Sequence, residues 1–264
     1  MKLVLALAVL LVAAPAAATP RSLPFTYPYH TLPAGVAELE QYVDIVPSRV
    51  ARERSDGTLE GVMANRFQLQ TEFEYGITDR LEAAFYLAFR QSASVGPGSL
   101  SLQGIKQRLR YRFTTDADFP VGIGGYLEVA EFTDEIELEE KLIIGRRFGR
   151  VQVLANIWFE QERYFQIKET KLIYNPTIGA TWEWSPSVIT GLEYWVRGRF
   201  DKGAAGLDAP TGAHHYLGPT LLLQGHTMWF SVGAYLGLTS LGKGFEVGQP
   251  YGPLWVRALL GVDL

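Results

Sequence analysis

The sequence predicts an all-β fold, a transmembrane antiparallel up-and-down β-barrel of about 12 strands that follows a cleaved signal peptide. Three observations predict it: a short apolar run at the N-terminus, alternation of apolar and polar residues along the rest of the chain, and connections that alternate between short and long. The 264 residues are 47% hydrophobic and only 20% charged, which excludes a disordered chain. A formal charge of -4 and the lack of cysteine exclude a general nucleic-acid binder, a disulfide scaffold and a thiolate metal site.

The N-terminus has the layout of a secretory signal peptide. Lys2 supplies a positive charge, residues 3–12 form the apolar stretch, and three alanines at 16–18 form a small-residue cleavage site. A membrane-spanning helix is the alternative, but the run is short for a hydrocarbon core about 30 Å thick, and it contains Pro15. We therefore expect cleavage after Ala18. The predicted domains are a signal peptide at 1–18, a periplasmic or plug segment at 19–35, and the barrel at 36–264.

The rest of the chain alternates with a period of two residues. Over residues 66–75 every apolar side chain falls in one frame and every charged one in the other, as in a strand with one apolar face. Strands are predicted at 36–46, 62–75, 80–90, 104–113, 120–131, 135–147, 151–160, 171–184, 188–199, 215–224, 227–238 and 253–264. Long connections are predicted at 47–61, 91–103, 161–170, 200–214 and 239–252, and most of the others are short. Short turns at one rim and longer loops at the other are typical of an up-and-down barrel.

Periodicity alone does not say whether the apolar face points to lipid or, as in a soluble barrel, to the lumen. Three features favour lipid: an export signal, long loops gathered at one rim, and a last strand that alternates apolar residues up to Leu264. About 12 strands also enclose more space than apolar side chains readily fill. The expected partners are outer-membrane lipids and, through the C-terminal strand at 254–264, the barrel-assembly machinery.

Three residues conflict with regular lipid-facing strands. Pro176 and Pro219 cannot donate a hydrogen bond to a ladder, and Glu140 falls in the lipid-facing frame of the strand at 135–147. Because a charge within lipid is costly, we expect a bulge or a frame shift at Glu140.

Several stretches carry a family resemblance. They are HTLPAGVAELEQYV at 30–43, TEFEYGITDRLEAAFYL at 71–87, GYLEV at 125–129, ELEEKLIIGRRFG at 137–149 and HHYLGPTL at 214–221. With these the chain resembles an uncharacterised family of proteobacterial outer-membrane barrels. It is similar, more distantly, to transporter barrels of the phenol-degradation MetA-pathway type. The resemblance implies the barrel fold and an outer-membrane location, and it implies no catalytic residue.

The lumen-facing frame holds the candidate functional residues. The strand at 104–113 presents a cation at every second position, and the first three strands present acids at matching heights. In one interpretation the cations on one side of the lumen and the acids on the other create a transverse electric field across an open constriction. This field would select small polar or charged solutes. In the other interpretation the cations and acids pair into a salt-bridged network that plugs the barrel. Inward aromatic residues either bind sugars and aromatic solutes or fill the lumen. The candidate lumen-lining residues are Glu38, Glu40, Glu72, Glu74, Glu82, Lys106, Arg108, Arg110, Arg112, Tyr126, Glu128, Trp158, Trp195, Arg197, Trp229 and Arg257.

The leading functional hypothesis is an outer-membrane channel or transporter for small polar or aromatic solutes. The alternative is a closed structural or surface-interaction barrel, and a remote one is a lipid-modifying enzyme with a rim serine and His214 or His215. These two histidines are adjacent, so on a strand they point to opposite faces and cannot chelate one metal together. No H-E-x-x-H or G-x-S-x-G motif occurs, and we predict no catalytic residue, no cofactor and no metal site.

Overall fold

The computed structural model describes residues 19–94, 98–115, 117, 119–202, 208–241, 247 and 251–264, and the signal peptide predicted at 1–18 lies outside them. Within these residues no helix is long and apolar enough to cross a membrane. The strands are β1 (Ala37–Glu53), β2 (Leu59–Thr78), β3 (Leu81–Gln91), β4 (Ser101–Thr114), β5 (Gly122–Phe132), β6 (Glu135–Phe148), β7 (Val151–Tyr164), β8 (Thr170–Tyr174), β9 (Thr177–Ser185), β10 (Val188–Lys202), β11 (Asp208–Gln224), β12 (Met228–Gly237) and β13 (Leu254–Asp263).

The strands form one antiparallel sheet that closes on itself. Neighbours in sequence pair with each other, and the first strand pairs with the last, with Glu38 opposite Asp263 and Ile45 opposite Val256. Within the part of the chain that the structure describes, each strand therefore has a paired neighbour on both sides, as lipid, which cannot hydrogen bond the backbone, requires. Strands β8 and β9 share one position between β7 and β10, which gives twelve positions around the barrel. The structure confirms the predicted all-β transmembrane barrel.

The predicted strand at 171–184 is broken into β8 and β9 at Asn175 and Pro176. Proline has no N–H, so it cannot take part in the ladder as a donor. The neighbouring hydrogen bonds are kept: Asn175 N–H donates to the Trp158 carbonyl at 2.9 Å, and Val196 N–H donates to the Pro176 carbonyl at 3.1 Å. The break therefore leaves the barrel wall closed by hydrogen bonds on both flanks.

The two rims of the barrel differ in their connections. We call the rim with the β2–β3, β4–β5, β6–β7, β9–β10 and β11–β12 turns the turn side, and the opposite rim the loop side. The β1–β2 ladder extends further toward the loop side than predicted. A loop was predicted over residues 47–61, but the pairing continues to Glu53 and Leu59. Gly57 has a φ of 78°, a conformation that glycine adopts readily, so this hairpin ends in a tight turn.

Large apolar side chains cover the outside of the barrel. They lie in the frames predicted to face lipid, and examples from around the barrel are Leu39, Phe73, Phe85, Leu109, Leu127, Leu142, Ile157, Ile178, Leu192, Phe230 and Leu260. Exposed aromatic residues near the turn side are Tyr75, Tyr111, Phe113, Phe148, Trp182 and Trp184. An apolar band with aromatic residues at its edge is the outer surface that a bilayer requires.

Glu140 is the exception in this apolar band. Its frame is unbroken, since Glu140 pairs with Leu127 on one side and with Phe159 on the other in a continuous register. The bulge or frame shift expected at Glu140 is therefore wrong, and the side chain is exposed on the outer face. A lipid-facing glutamate is less costly than a lipid-facing arginine or lysine. The pairing of β6 along its whole length outweighs this cost.

A substitution pair tests the outward position of Glu140. We expect Glu140→Leu to stabilise the barrel, by less than about 2 kcal/mol, because it removes a carboxylate from lipid. Glu139→Leu is the matched control, since Glu139 is buried and lies 2.6 Å from the Lys141 ammonium, and it is expected to destabilise. Urea unfolding of both variants in lipid vesicles measures the two effects. Equal losses of stability would show that Glu140 faces the lumen.

The residues before β1 lie inside the barrel. Residues 19–32, which we call the inner segment, are buried along most of their length. Inward glycines make room for them: an added Cβ would collide with the Tyr29 ring at Gly122 and with the Leu23 side chain at Gly179. Wall strands that carry glycine at these points accept an internal chain that larger residues would displace.

Candidate functional site

An ion-pair network lines part of the wall in the turn-side half of the lumen, with Arg108 at its centre. The Arg108 guanidinium lies 2.8 Å from a Glu72 oxygen and 2.7 Å from a Glu74 oxygen, and it also donates to Glu82. Arg110 donates to the second Glu82 oxygen at 2.7 Å. All five side chains are buried. The predicted acidic and basic residues of β2, β3 and β4 are in contact here, so they form one ion-pair network on this side of the lumen.

The other predicted charges of this half lie at its edges. Glu38 accepts a hydrogen bond from the Trp229 indole, and Glu40 lies 3.8 Å from the Arg21 guanidinium of the inner segment. Arg112 donates to the Asp79 carbonyl at 2.7 Å in the turn-side rim. The inner segment therefore contributes the Arg21 cation to a cluster in which most of the wall residues are acidic.

Side chains of the wall hold the backbone of the inner segment. A single Glu193 oxygen accepts from Phe25 N–H at 3.1 Å and Thr26 N–H at 2.6 Å. The Asn156 amide accepts from Tyr27 N–H at 2.7 Å and donates to the Tyr27 carbonyl at 3.0 Å. A side chain that pairs with both backbone groups of one residue substitutes for a neighbouring strand. These contacts fix the segment across the lumen.

Aromatic packing fixes the same segment from the side. The Phe25 ring stacks on Trp195 with centroids 4.4 Å apart, and Trp195 stacks on Tyr216 at 4.1 Å. Trp255 and Tyr235 meet this stack edge-on. Edge and offset arrangements are the favourable geometries for aromatic pairs. Trp195 therefore lines the lumen, as predicted from its frame, and its ring is the surface on which Phe25 packs.

The loop-side half of the lumen is hollow. A cavity of about 870 Å³ opens there, with Phe25 and Tyr27 of the inner segment in its lining. Its wall carries ion pairs in place of a continuous network: Lys106 with Glu128 at 2.8 Å, and Arg197 with Glu160 at 2.8 Å. We call this cavity the vestibule. Its volume is in the range of small-molecule binding sites.

One cation in the vestibule is surrounded by aromatic rings. The Lys141 ammonium lies 3.7 Å from the Trp158 ring centre, 3.9 Å from that of Tyr126 and 4.2 Å from that of Tyr27. It also forms an ion pair with Glu139 at 2.6 Å. This cation-aromatic cluster joins the vestibule wall to the inner segment.

The structure places every candidate lumen-lining residue on the inner face, in two groups. The turn-side group is Glu38, Glu40, Glu72, Glu74, Glu82, Arg108, Arg110, Arg112 and Trp229. The vestibule group is Lys106, Tyr126, Glu128, Trp158, Trp195, Arg197 and Arg257. Sequence reasoning did not select Asn156, Glu193 and Lys141, which contact the inner segment. Each of the three falls in the inward frame of its strand next to an aromatic or charged residue, so the frame alone did not distinguish them.

The two adjacent histidines point to opposite faces, as predicted from their spacing. His214 lines the vestibule and stacks on Tyr251 with ring centres 4.4 Å apart. The Nδ1 of His215 shares a hydrogen bond of 2.5 Å with the Tyr194 hydroxyl. Each histidine therefore contacts the ring or hydroxyl of a tyrosine on its own face of the wall.

The chain was compared with known proteins by family, sequence and structure. No family model matches it, and no curated protein matches it. Its fold is similar to that of an outer-membrane channel from Pseudomonas putida F1, with a TM-score of 0.62 and 11% identity over 89% of this chain and 98% of that one. It is also similar to the translocator domain of the autotransporter NalP from Neisseria meningitidis, with a TM-score of 0.51 and 9% identity over 88% and 89% of the two chains. At these identities the comparisons confirm the outer-membrane-barrel fold that the resemblance implied.

Proposed function

We propose that this protein is an outer-membrane channel for small polar or aromatic solutes, closed on its turn side by the inner segment. The observation that carries the proposal is the hollow vestibule of about 870 Å³, which ends at Phe25 and Tyr27 of that segment. A barrel built only as a structural element has no need of a hollow half. The fold similarity to an outer-membrane channel supports the same function.

The proposal includes an orientation and partners. Tight turns of outer-membrane barrels face the periplasm, so the vestibule opens to the outside. The signal peptide at 1–18 is removed during export, outer-membrane lipids cover the apolar band, and the assembly machinery recognises the strand at 254–264. The outward frame of β13 supports this last step, because Leu260 and Leu264 are exposed while Trp255 and Leu259 are buried.

The vestibule wall suggests the solute class. Trp158 and Tyr126 offer ring faces, and Lys106, Lys141 and Arg197 offer cations beside Glu128, Glu139 and Glu160. Rings stack on aromatic or sugar faces, and mixed charges bind polar substituents without favouring one sign strongly. Small polar or aromatic solutes fit this surface better than long aliphatic chains.

The ion-pair network supports a second candidate, a permanently closed barrel with a structural or surface role. Arg108 alone contacts three buried carboxylates, and a network of this kind fills the space that a pore needs. The two candidates differ in whether release of the inner segment yields a conducting path.

Single-channel recording in a planar bilayer separates these candidates. We expect Asn156→Leu to conduct more often than the parent protein, because it removes both hydrogen bonds to the Tyr27 backbone. Asn65→Leu is the matched control, since Asn65 is exposed on β2 outside the lumen and is expected to behave as the parent. Glu193→Gln, which weakens the other anchor, is expected to give a smaller effect in the same direction.

Each variant is first shown to be folded by heat-modifiable gel mobility. Discrete conductance steps in Asn156→Leu, blocked by an aromatic solute added on the loop side, support the channel. Silence in every folded variant would overturn it in favour of the closed barrel.

A further inference from the structure

Glu38 is a buried carboxylate that lacks a cation. It is fully buried, and within the described part of the chain no lysine or arginine side chain lies at ion-pairing distance from it. One of its oxygens accepts from the Trp229 indole, and the other accepts from the backbone N–H of Thr19 at 3.3 Å. Two neutral donors do not offset the cost of removing a carboxylate from water.

The neighbouring acids increase this cost. Oxygens of Glu38, Glu40 and Glu74 lie within 4.8 Å of one another. Glu40 has Arg21 at 3.8 Å, and Glu74 has Arg108 at 2.7 Å, whereas Glu38 has no equivalent. Glu40 Oε2 and Glu74 Oε2 are also buried without a hydrogen-bond partner among the described residues. The cluster therefore has room for one more positive donor, at the position where the Thr19 nitrogen lies.

We propose that this donor is the α-ammonium of Thr19, created by signal peptidase, and that Glu38 is its binding site. Water adds across the Ala18–Thr19 peptide bond, which breaks and leaves a carboxylate on Ala18 and an ammonium on Thr19. The nitrogen changes from a neutral amide with one N–H into a cation with three. An ammonium bonded to a carboxylate is a stronger interaction than an amide in the same place.

Two independent observations point to the same atom. The small residues at 16–18 predict cleavage after Ala18 from composition alone. The structure places the nitrogen of the next residue against the one buried carboxylate of the cluster that lacks a cation. Cleavage at a neighbouring bond would place the new ammonium elsewhere in the chain. Removal of the signal peptide thus supplies the charge that holds the start of the inner segment.

The experiment uses the mature protein, whose N-terminus is first read by sequencing and intact mass. Periodate converts an N-terminal threonine into a glyoxylyl group, which removes the α-amine, and the reaction is carried out on the unfolded chain before refolding. Parent protein and Glu38→Gln are both treated, so side reactions of periodate occur in both. The midpoint temperature of the heat-modifiable mobility shift is then measured with and without the amine.

We expect loss of the amine to lower the midpoint of the parent by about 5 °C. In Glu38→Gln, which keeps an acceptor for Trp229 but carries no charge, the same treatment is expected to have little effect. Glu193→Gln is the matched control, because Glu193 is also buried and binds the inner segment away from Thr19. In Glu193→Gln, removal of the amine is expected to lower the midpoint by the same amount as in the parent, because the two effects are independent and add.

Three outcomes would overturn the proposal. The first is a mature N-terminus other than Thr19. The second is an equal effect of amine removal in the parent and in Glu38→Gln, which would mean that Glu38 is protonated and needs no cation. The third is a loss of stability with a metal chelator that Glu38→Gln abolishes, which would place a metal ion in the cluster.

Discussion

Arg108→Met is expected to destabilise the barrel by about 3–5 kcal/mol, because it leaves buried carboxylates without their shared cation. The Arg108 guanidinium contacts Glu72, Glu74 and Glu82, and it is buried. Its Tyr86 hydrogen bond of 3.0 Å is lost as well. Urea unfolding in vesicles, followed by tryptophan fluorescence and gel mobility, measures the change.

An exposed arginine provides the control for this prediction. Arg52 bonds to Glu60 on the loop side, but its side chain is 52% exposed, so Arg52→Met is expected to change stability little. Arg108→Lys keeps the positive charge but lacks the planar guanidinium that can bind two carboxylates at once. We expect its stability to lie between those of the parent and Arg108→Met.

If Arg108→Met does not refold, a variant with additional substitutions tests the same prediction. Neutralising acids around it, as in Arg108→Met with Glu74→Gln and Glu82→Gln, is expected to recover part of the folding yield. Stability of the single variant within about 1 kcal/mol of the parent would show that the carboxylates do not depend on Arg108.

Deletion of the inner segment is expected to turn a silent barrel into one with discrete, reproducible conductance steps. The segment occupies the turn-side half of the lumen and lines the vestibule floor, so water takes its place when it is removed. The wall groups that bound it, such as Glu193 and Asn156, then become hydrated, which limits the loss of stability. Planar-bilayer recording on the folded deletion variant measures the result.

A length-matched variant serves as the control for the deletion. Replacing residues 19–32 with a glycine-serine sequence of equal length removes the anchors and keeps the chain, and it is expected to conduct as the deletion does. If the parent conducts as well as both variants, the inner segment does not close the lumen. If the deletion variant is folded and silent, the Arg108 network closes it alone.

The wall of the barrel could be predicted from the sequence, because alternation is a local property of each strand. The frame of the strand at 104–113 put Arg108 and Arg110 on the inner face, and matched heights put Glu74 and Glu82 near them. The short β2–β3 turn sets the register of Glu74 and Glu82, whereas β3 and β4 are joined by a longer connection, so their heights were matched by counting residues from the turn side.

The contents of the lumen could not be predicted in the same way. Phe25 and Tyr27 belong to a segment without periodicity, and their partners Glu193 and Asn156 lie more than a hundred residues away in sequence. Glu140 shows the opposite error, since the expected bulge assumed a lipid penalty that continuous pairing outweighs. Local rules describe each strand, whereas an internal chain depends on the closed assembly.

The pairing of the first strand with the last restricts the order of assembly. Four residues join the inner segment to β1, and β1 pairs with β13, which is the last strand to be synthesised. A chain end attached to the closing strand cannot easily be threaded into a finished cylinder. We therefore expect the inner segment to lie between the curving walls before the seam forms, with Phe25 against Trp195 and Tyr27 against Tyr126. On this basis we expect residues 19–32 to guide the folding of the barrel as well as to occupy its lumen.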